Sequence, residues 1–161
     1  MSNEDTMSGK APVSRIMTSP VTTINASDTL GSAAEAMATN NIGAVPVIEG
    51  TKPIGIITER DIVKQVVGAS DALKRPIKQL LLKSLITVEP TTSIQEAFTM
   101  MLKNDIRRLP VVDEGKLVGI VTEKDLMRWV LRLWYEPNVP PHIKAALDQI
   151  FYHGLIRDHM I

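Results

Sequence analysis

The feature that most constrains this 161-residue chain is an internal duplication. Gly55-Ile56-Ile57-Thr58-Glu59-Arg60-Asp61 returns as Gly119-Ile120-Val121-Thr122-Glu123-Lys124-Asp125, 64 positions later. The same offset holds without a gap from Thr23 to Val66. Thr23 falls on Thr87, Leu30 on Ile94, Ala33 on Ala97, Met37 on Met101, Asn40 on Asn104, Ile42 on Ile106 and Pro46-Val47 on Pro110-Val111. A fixed period of this length marks one supersecondary unit used twice. A single copy of about 55 residues buries too little surface to stand comfortably alone, so the two copies are expected to pack together.

Both copies read alike. A short β-branched strand (Val21–Ile24; Leu85–Val88) leads to a helix expected to begin near Asp28 or Thr92, each a suitable N-cap. Leu30, Ala33/Ala34 and Met37, and likewise Ile94, Ala97/Phe98 and Met101, place one apolar stripe along that helix. Two apolar strands follow, Ala44–Ile48 and Ile54–Ile57, then Leu109–Val112 and Leu117–Val121. Glu49–Lys52 and Asp113–Lys116 read as the hairpin turns between them. A last helix starts after Thr58 or Thr122. The predicted order is β-α-β-β-α, twice, with Arg15–Met17 and Pro76–Leu82 as short lead-ins and Ser70–Arg75 as a polar connector.

The expected organisation is a disordered segment at 1–10, repeats at 11–70 and 71–134, and a helical tail at 135–161. Pro137-Asn138-Val139-Pro140-Pro141 breaks the chain before a helix expected from His142 to His153, apolar at Ile143, Ala146/Leu147, Ile150 and Leu155. Lys and Arg total 18, as do Asp and Glu, so net charge offers no attraction to nucleic acid or an anionic membrane. No apolar run is long enough to span a bilayer, and the acidic, polar start lacks a secretory pattern. A cytoplasmic protein is expected. Cysteine is absent, which removes disulfides, thiolate metal sites and cysteine nucleophiles. The three histidines, His142, His153 and His159, have no tight ligand spacing, and no metal is expected. No Gly-x-Ser-x-Gly, phosphate-binding Gly loop or His-Glu-x-x-His occurs, so the chain is not expected to be an enzyme.

The repeated Thr-x-x-Asp has a plain structural reading as a capping box at the start of the last helix. Three features add a functional one. Gly55 and Gly119 in the preceding strand permit close approach of backbone or ligand. A helix N-terminus after a strand offers N–H donors. An aspartate carboxylate only accepts hydrogen bonds, which suits a diol such as ribose, whereas the threonine hydroxyl suits a phosphate oxygen.

The ordered set of motifs resembles a tandem pair of CBS domains, the modules named after cystathionine β-synthase. It covers roughly residues 12–134. In the first copy the resemblance rests on Met17-Thr18-x-Pro20 before Val21-Thr22-Thr23, on Ala44-Val45-Pro46-Val47, and on Gly55…Thr58-x-x-Asp61. The second matches with Ile86-Thr87-Val88, Arg108-Leu109-Pro110-Val111 and Gly119…Thr122-x-x-Asp125, but Leu82-Lys83-Ser84 departs from Met-Thr-x-Pro. The resemblance implies an α/β (α+β) fold of two β-α-β-β-α repeats packed sheet to sheet about a pseudo-two-fold axis. It also implies two clefts for adenosine-containing ligands, with Asp61 and Asp125 on ribose hydroxyls and Thr58 and Thr122 beside them. Adenine would lie against Met17, Pro20, Val21 and Thr22 in the cleft of Asp125, and against Leu81, Ser84, Leu85 and Ile86 in that of Asp61. Ala44, Pro46 and Pro110 belong to the same sites by their place in the motifs.

Cations for phosphate differ between copies, since Gly43-Ala44 is replaced by Arg107-Arg108. These arginines are expected to face the clefts, with Arg60 and Lys124 adding charge. The cleft of Asp61, beside the second copy, is expected to be the more cationic, and the two sites to differ in affinity. Lys124, Arg128 and Arg132 form a basic stripe, read as a solvated face. The expected function is a regulatory, ligand-sensing module binding AMP, ADP or ATP, with S-adenosylmethionine, NAD or a cyclic dinucleotide as alternatives. The resemblance implies a homodimer, and an unidentified effector protein is a further expected partner. The rival reading is an interaction module with vestigial clefts, bound through its surface or its terminal helix.

Overall fold

The computed structural model describes residues 10–69, 71–80, 84–135, 137, 139, 141, 144 and 145. Residues 1–9 of the expected disordered N-terminus, and all but Lys144 and Ala145 of the helix expected over 142–153, lie outside them. The elements in chain order are β1 (Ile24–Asn25), α1 (Leu30–Asn40), β2 (Ala44–Glu49), β3 (Lys52–Thr58), α2 (Glu59–Gly68), α3 (Ile94–Asn104), β4 (Arg108–Asp113), β5 (Lys116–Thr122) and α4 (Glu123–Tyr135). Short 3-10 turns occupy Val13–Arg15, Ala72–Lys74 and Ile77–Leu80. The fold is mixed α/β with two small sheets, as the periodicities indicate.

Two compact units form. One comprises Thr18–Pro90 and Leu109–Ile120, and the other Met1–Met17, Thr91–Arg108 and Val121–Ile161. In the first, β1 runs parallel to β2, and β2 antiparallel to β3, with a bulge between Val47 and Ile48. Leu30, Ala33 and Met37 of α1 pack with Val45, Val47 and Ile57 of the sheet and with Ala26, Ala72 and Ile77. Leu30, Ala33, Val45, Val47 and Ile77 are wholly inaccessible, the outcome that the 3.6-residue stripe and the β-branched strands require. The β4–β5 hairpin turns through Glu114 and Gly115, both at positive φ (47° and 78°), as a type I′ turn demands. In the second unit Ile94, Ala97 and Met101 of α3 are buried, as are Leu126, Val130 and Leu133 of α4. The N-terminal segment is tied to α3 by Val13 N–H to the Thr92 carbonyl and Ile94 N–H to the Ala11 carbonyl, each 2.8 Å.

Three expectations shift. The N-caps of α1 and α3 are Thr29 and Ser93, one residue beyond Asp28 and Thr92. Thr29 Oγ1 accepts from Ser32 N–H at 3.2 Å and Ser93 Oγ from Glu96 N–H at 3.1 Å. Asp28 instead closes the preceding turn, its Oδ2 accepting from Asn25 N–H at 2.9 Å. The first strand contracts to Ile24–Asn25, because only those two residues meet partners in β2, Val47 and Ile48. Its second-copy counterpart reduces to Val88 bridged to Val111. The lead-ins are short 3-10 turns at Val13–Arg15 and Ile77–Leu80, the first of them starting two residues ahead of the expected Arg15–Met17.

Gly31, in the first turn of α1, lets the chain at Leu73 come close: a Cβ there would stand 3.0 Å from the Leu73 carbonyl oxygen. Alanine would gain up to about 1 kcal/mol of helix propensity. The neighbour is backbone held in a 3-10 turn, so the contact outweighs that gain. Gly31→Ala is therefore expected to lower the melting temperature by a few degrees, on the order of 1 kcal/mol. A melting temperature at or above that of the parent would show that the 72–74 turn moves aside freely.

Candidate functional site

The two Thr-x-x-Asp turns are built identically. At the end of β3, Thr58 donates its backbone N–H to Asp61 Oδ2 (2.9 Å) and its hydroxyl proton to the same oxygen (2.6 Å). Asp61 N–H returns a bond to Thr58 Oγ1 at 3.3 Å. Thr122 and Asp125 repeat the three bonds at 2.9, 2.5 and 3.3 Å. This is the reciprocal capping box that the spacing predicts. The N–H of the residue after the threonine is also taken: Glu59 donates to the Gly43 carbonyl at 3.2 Å and Glu123 to the Arg107 carbonyl at 3.0 Å. Of the first-turn donors, only the N–H of Arg60 and of Lys124 lacks an acceptor among the described residues.

This geometry narrows what each turn can do. The threonine proton is committed to the carboxylate, so the hydroxyl meets a ligand as an acceptor unless the cap rearranges. One aspartate oxygen is spent on the cap and the other, Oδ1, is aimed by it. Asp61 Oδ1 has no partner among the described residues. Asp125 Oδ1 faces Arg128 NH1 at 3.4 Å, with the aspartate side chain 11% exposed and that of Arg128 77% exposed. Lys64, the first-copy counterpart of Arg128, is exposed and makes no ion pair among the described residues. Sequence reading placed Arg128 on a solvated stripe and missed this contact, although spacing i,i+3 to Asp125 was the available signal.

The other predicted residues are distributed around these turns. Ala44 is buried directly across from Thr58 in the β2–β3 ladder, and Pro46 is buried across from Ile56. Pro110 is buried in β4, its carbonyl accepting from Val88 N–H at 3.1 Å. Met17 is half-buried with its N–H on the Val13 carbonyl, while Pro20, after a cis peptide bond, is exposed. Val21, Thr22, Leu85 and Ile86 are half-buried outside regular strands, and Ser84 is exposed. Between Met17 and Pro20, Thr18 exchanges two backbone bonds (2.8 and 3.1 Å) with Ile120 of β5, the strand that ends at Thr122. No bond joins Ser84, Leu85 or Ile86 to Asp61 among the described residues, and Leu81 lies outside them.

Arg60 and Lys124 are exposed, and Arg108 is half-buried. From the sequence both arginines are expected to face the clefts, the cleft of Asp61 being the more cationic. In the structure Arg107 pairs with Glu123 of its own copy, Nε to Oε2 at 3.8 Å. A surface groove of about 620 Å³, lined by Asn25, Ser27, Pro76 and Gln79 and bridged by the Lys78–Glu49 ion pair, contains none of the predicted residues. Among the described residues no acidic or histidine cluster is disposed to hold a metal, and no helix is long and apolar enough to cross a membrane. The three histidines lie outside the described residues.

The CBS domain family model matches residues 13–68 and 77–132. The chain is 36% identical over 110 residues to the CBS domain-containing protein YhcV of Bacillus subtilis, covering 68% of this chain and 79% of that protein. It is 32% identical over 158 residues to the MJ1404 protein of Methanocaldococcus jannaschii, but spans only 35% of that longer relative. Among solved structures, hypoxic response protein I with two coordinated zinc ions superposes with a TM-score of 0.67 at 35% identity, covering 73% of this chain and 98% of that one. CBSX2 in complex with AMP gives 0.68 at 25% identity, covering 76% and 97%. The CBS domain pair of MJ0100, bound to 5′-methylthioadenosine and S-adenosylmethionine, gives 0.66 at 29%, covering 73% and 94%.

The cap must be separable from any ligand it serves. Thr58→Val and Thr122→Val, in ligand-free protein, are each expected to cost about 1 kcal/mol in urea unfolding, the usual value of an N-cap hydroxyl. Asp61→Asn should cost less than Asp61→Ala, because the amide oxygen still accepts the Thr58 N–H. Equal losses from the two aspartate variants would mean that the bond to Thr58 N–H contributes nothing.

Proposed function

From the membership of this chain in the CBS-domain family, established over both of its repeats, we propose that it is a regulatory module that senses an adenosine-containing ligand at its Thr-x-x-Asp turns. One observation carries the reading. Each capping box fixes an aspartate through Oδ2 and leaves Oδ1 directed away from the cap, with two lone-pair directions for two vicinal hydroxyls. A ribose diol is the matching donor pair. The AMP bound by CBSX2 and the two adenosine compounds bound by the MJ0100 pair all carry that sugar.

In this proposal Asp61 and Asp125 hold ribose, and Arg60, Lys124, Arg107 and Arg108 supply charge for phosphate. Backbone groups of Met17–Thr22 and Ser84–Ile86 read the adenine edge, with Leu81 beside them, while Ala44, Pro46 and Pro110 form apolar wall. Thr58 and Thr122 act by orienting the aspartates. No chemistry on the ligand is proposed. Binding would act by population shift, favouring one conformation of a cytoplasmic homodimer that an effector protein reads. A second reading, an interaction module, is favoured by the exposed apolar row on α2: Val63, Val66 and Val67 are 61%, 44% and 84% accessible.

Thermal-shift measurements with AMP, ADP, ATP, S-adenosylmethionine, NAD and 5′-methylthioadenosine separate these readings. A ligand at a hundred times its Kd raises stability by about 2.7 kcal/mol, several degrees for a chain of this size. At least one compound is expected to stabilise the parent. Asp61→Ala and Asp125→Ala together should abolish the shift. Stabilisation by none of them would favour the interaction reading, and a shift surviving the double variant would remove ribose from the aspartates.

A further inference from the structure

The two copies share one backbone device but not one electrostatic setting. Around the first turn, Gly43 and Ala44 are uncharged, and Glu59, Arg60, Asp61 and Lys64 supply two cations against two acids. Around the second, Arg107, Arg108, Glu123, Lys124, Asp125 and Arg128 supply four cations against two acids. The extra charges belong to the turn by geometry. The Arg107 carbonyl accepts the Glu123 N–H at 3.0 Å, as that of Gly43 accepts the Glu59 N–H, so a guanidinium replaces a hydrogen beside the start of the helix. Ala44 lies across from Thr58 in an antiparallel ladder, a relation that puts both side chains on one face. At the common offset the place of Ala44 is taken by Arg108, the first residue of β4.

We propose that the two turns are divided by ligand charge. The Thr122–Asp125 turn selects adenosine ligands bearing phosphate, and the Thr58–Asp61 turn accepts uncharged adenosine compounds at least as well. The inference rests on the reading that the aspartates hold ribose. The cations of the second turn are free to serve. The Arg107–Glu123 pair is long, at 3.8 Å, with side chains 73% and 51% exposed, so exchanging Glu123 for a phosphate costs little. Arg128 is 77% exposed and, among the described residues, held only by Asp125 Oδ1, the atom a ribose would take, so sugar binding releases its guanidinium. Guanidinium groups bind phosphate oxygens in a bidentate manner that a lone exposed lysine such as Lys64 cannot match.

The test is calorimetric titration of the full chain with ATP, free of divalent cations, and with adenosine. Asp61→Asn leaves the second turn to be read, and Asp125→Asn the first. At the second turn ATP is expected to bind at least about tenfold tighter than adenosine, with the preference shrinking as salt is raised. At the first turn the two compounds should fall within about threefold. Arg107→Gln/Arg108→Gln/Arg128→Gln keeps most of each side-chain stem and should bring the second turn to the ratio of the first without weakening adenosine. Equal ratios at the two turns, or an ATP preference that survives the triple glutamine variant, would overturn the division by charge while leaving ribose recognition intact. A parent chain that binds neither compound would overturn ribose recognition and the division with it.

Discussion

In each repeat a strand ends and a helix begins on a threonine and an aspartate that hold one another. Three hydrogen bonds close within four residues: backbone to carboxylate, hydroxyl to the same carboxylate oxygen, and amide to hydroxyl. Two otherwise unsatisfied donors at the helix start are thereby met, and the carboxylate loses its rotational freedom. Everything proposed for the site follows from that second consequence. A free aspartate side chain would have to be ordered by its ligand, at a cost in entropy. Here folding has already ordered it, and the direction of the oxygen left over is fixed with it.

A structural role and a binding role for the same residues are therefore not competing explanations. The cap uses Oδ2 and the threonine proton, whereas ligand recognition needs only Oδ1. The division also limits the threonine, whose hydroxyl proton is engaged in both copies, so its part is orientation rather than direct donation to phosphate. The neighbouring backbone closes off more of the helix start. With the Glu59 and Glu123 amides on the Gly43 and Arg107 carbonyls, α2 and α4 each retain one first-turn amide unmet among the described residues, and the general attraction of a helix N-terminus for anions is correspondingly reduced.

How much of this was legible in the sequence depends on the range of the interaction. The capping boxes are local, and their spacing alone specified them. The stripe of Leu30, Ala33 and Met37 is likewise a property of one helix, and it is buried as expected. Asp28 and Thr29 are adjacent residues that both cap helices well, and nothing in their order tells which will take the role. The choice went to Thr29 when Asp28 bonded back to Asn25. The β-branched run Val21–Ile24 suggested a strand, but a strand exists only where another backbone lies beside it, and β2 reaches only Ile24 and Asn25. Strand pairing, like the acceptance of Glu59 N–H by Gly43, is fixed by residues distant in sequence, which no short motif announces. The partner of Arg107 was missed for the same reason.

Duplication explains why the copies agree where they do and diverge where they do. The cap distances match to within a tenth of an ångström, because these bonds are required for the strand-to-helix turn itself. Residues bordering the turn carry no such requirement. Ala44 is 6% exposed, whereas its counterpart Arg108 is half-buried, and Arg107, in the place of Gly43, is exposed with its backbone bond retained. A charge could thus enter the border of one copy without disturbing the hydrogen bonds that both copies need. In a protein built from two identical turns, this is where specificity can change at least cost to the fold. The side chains that differ there, and not the shared Thr-x-x-Asp, are the ones that can make two sites out of one design.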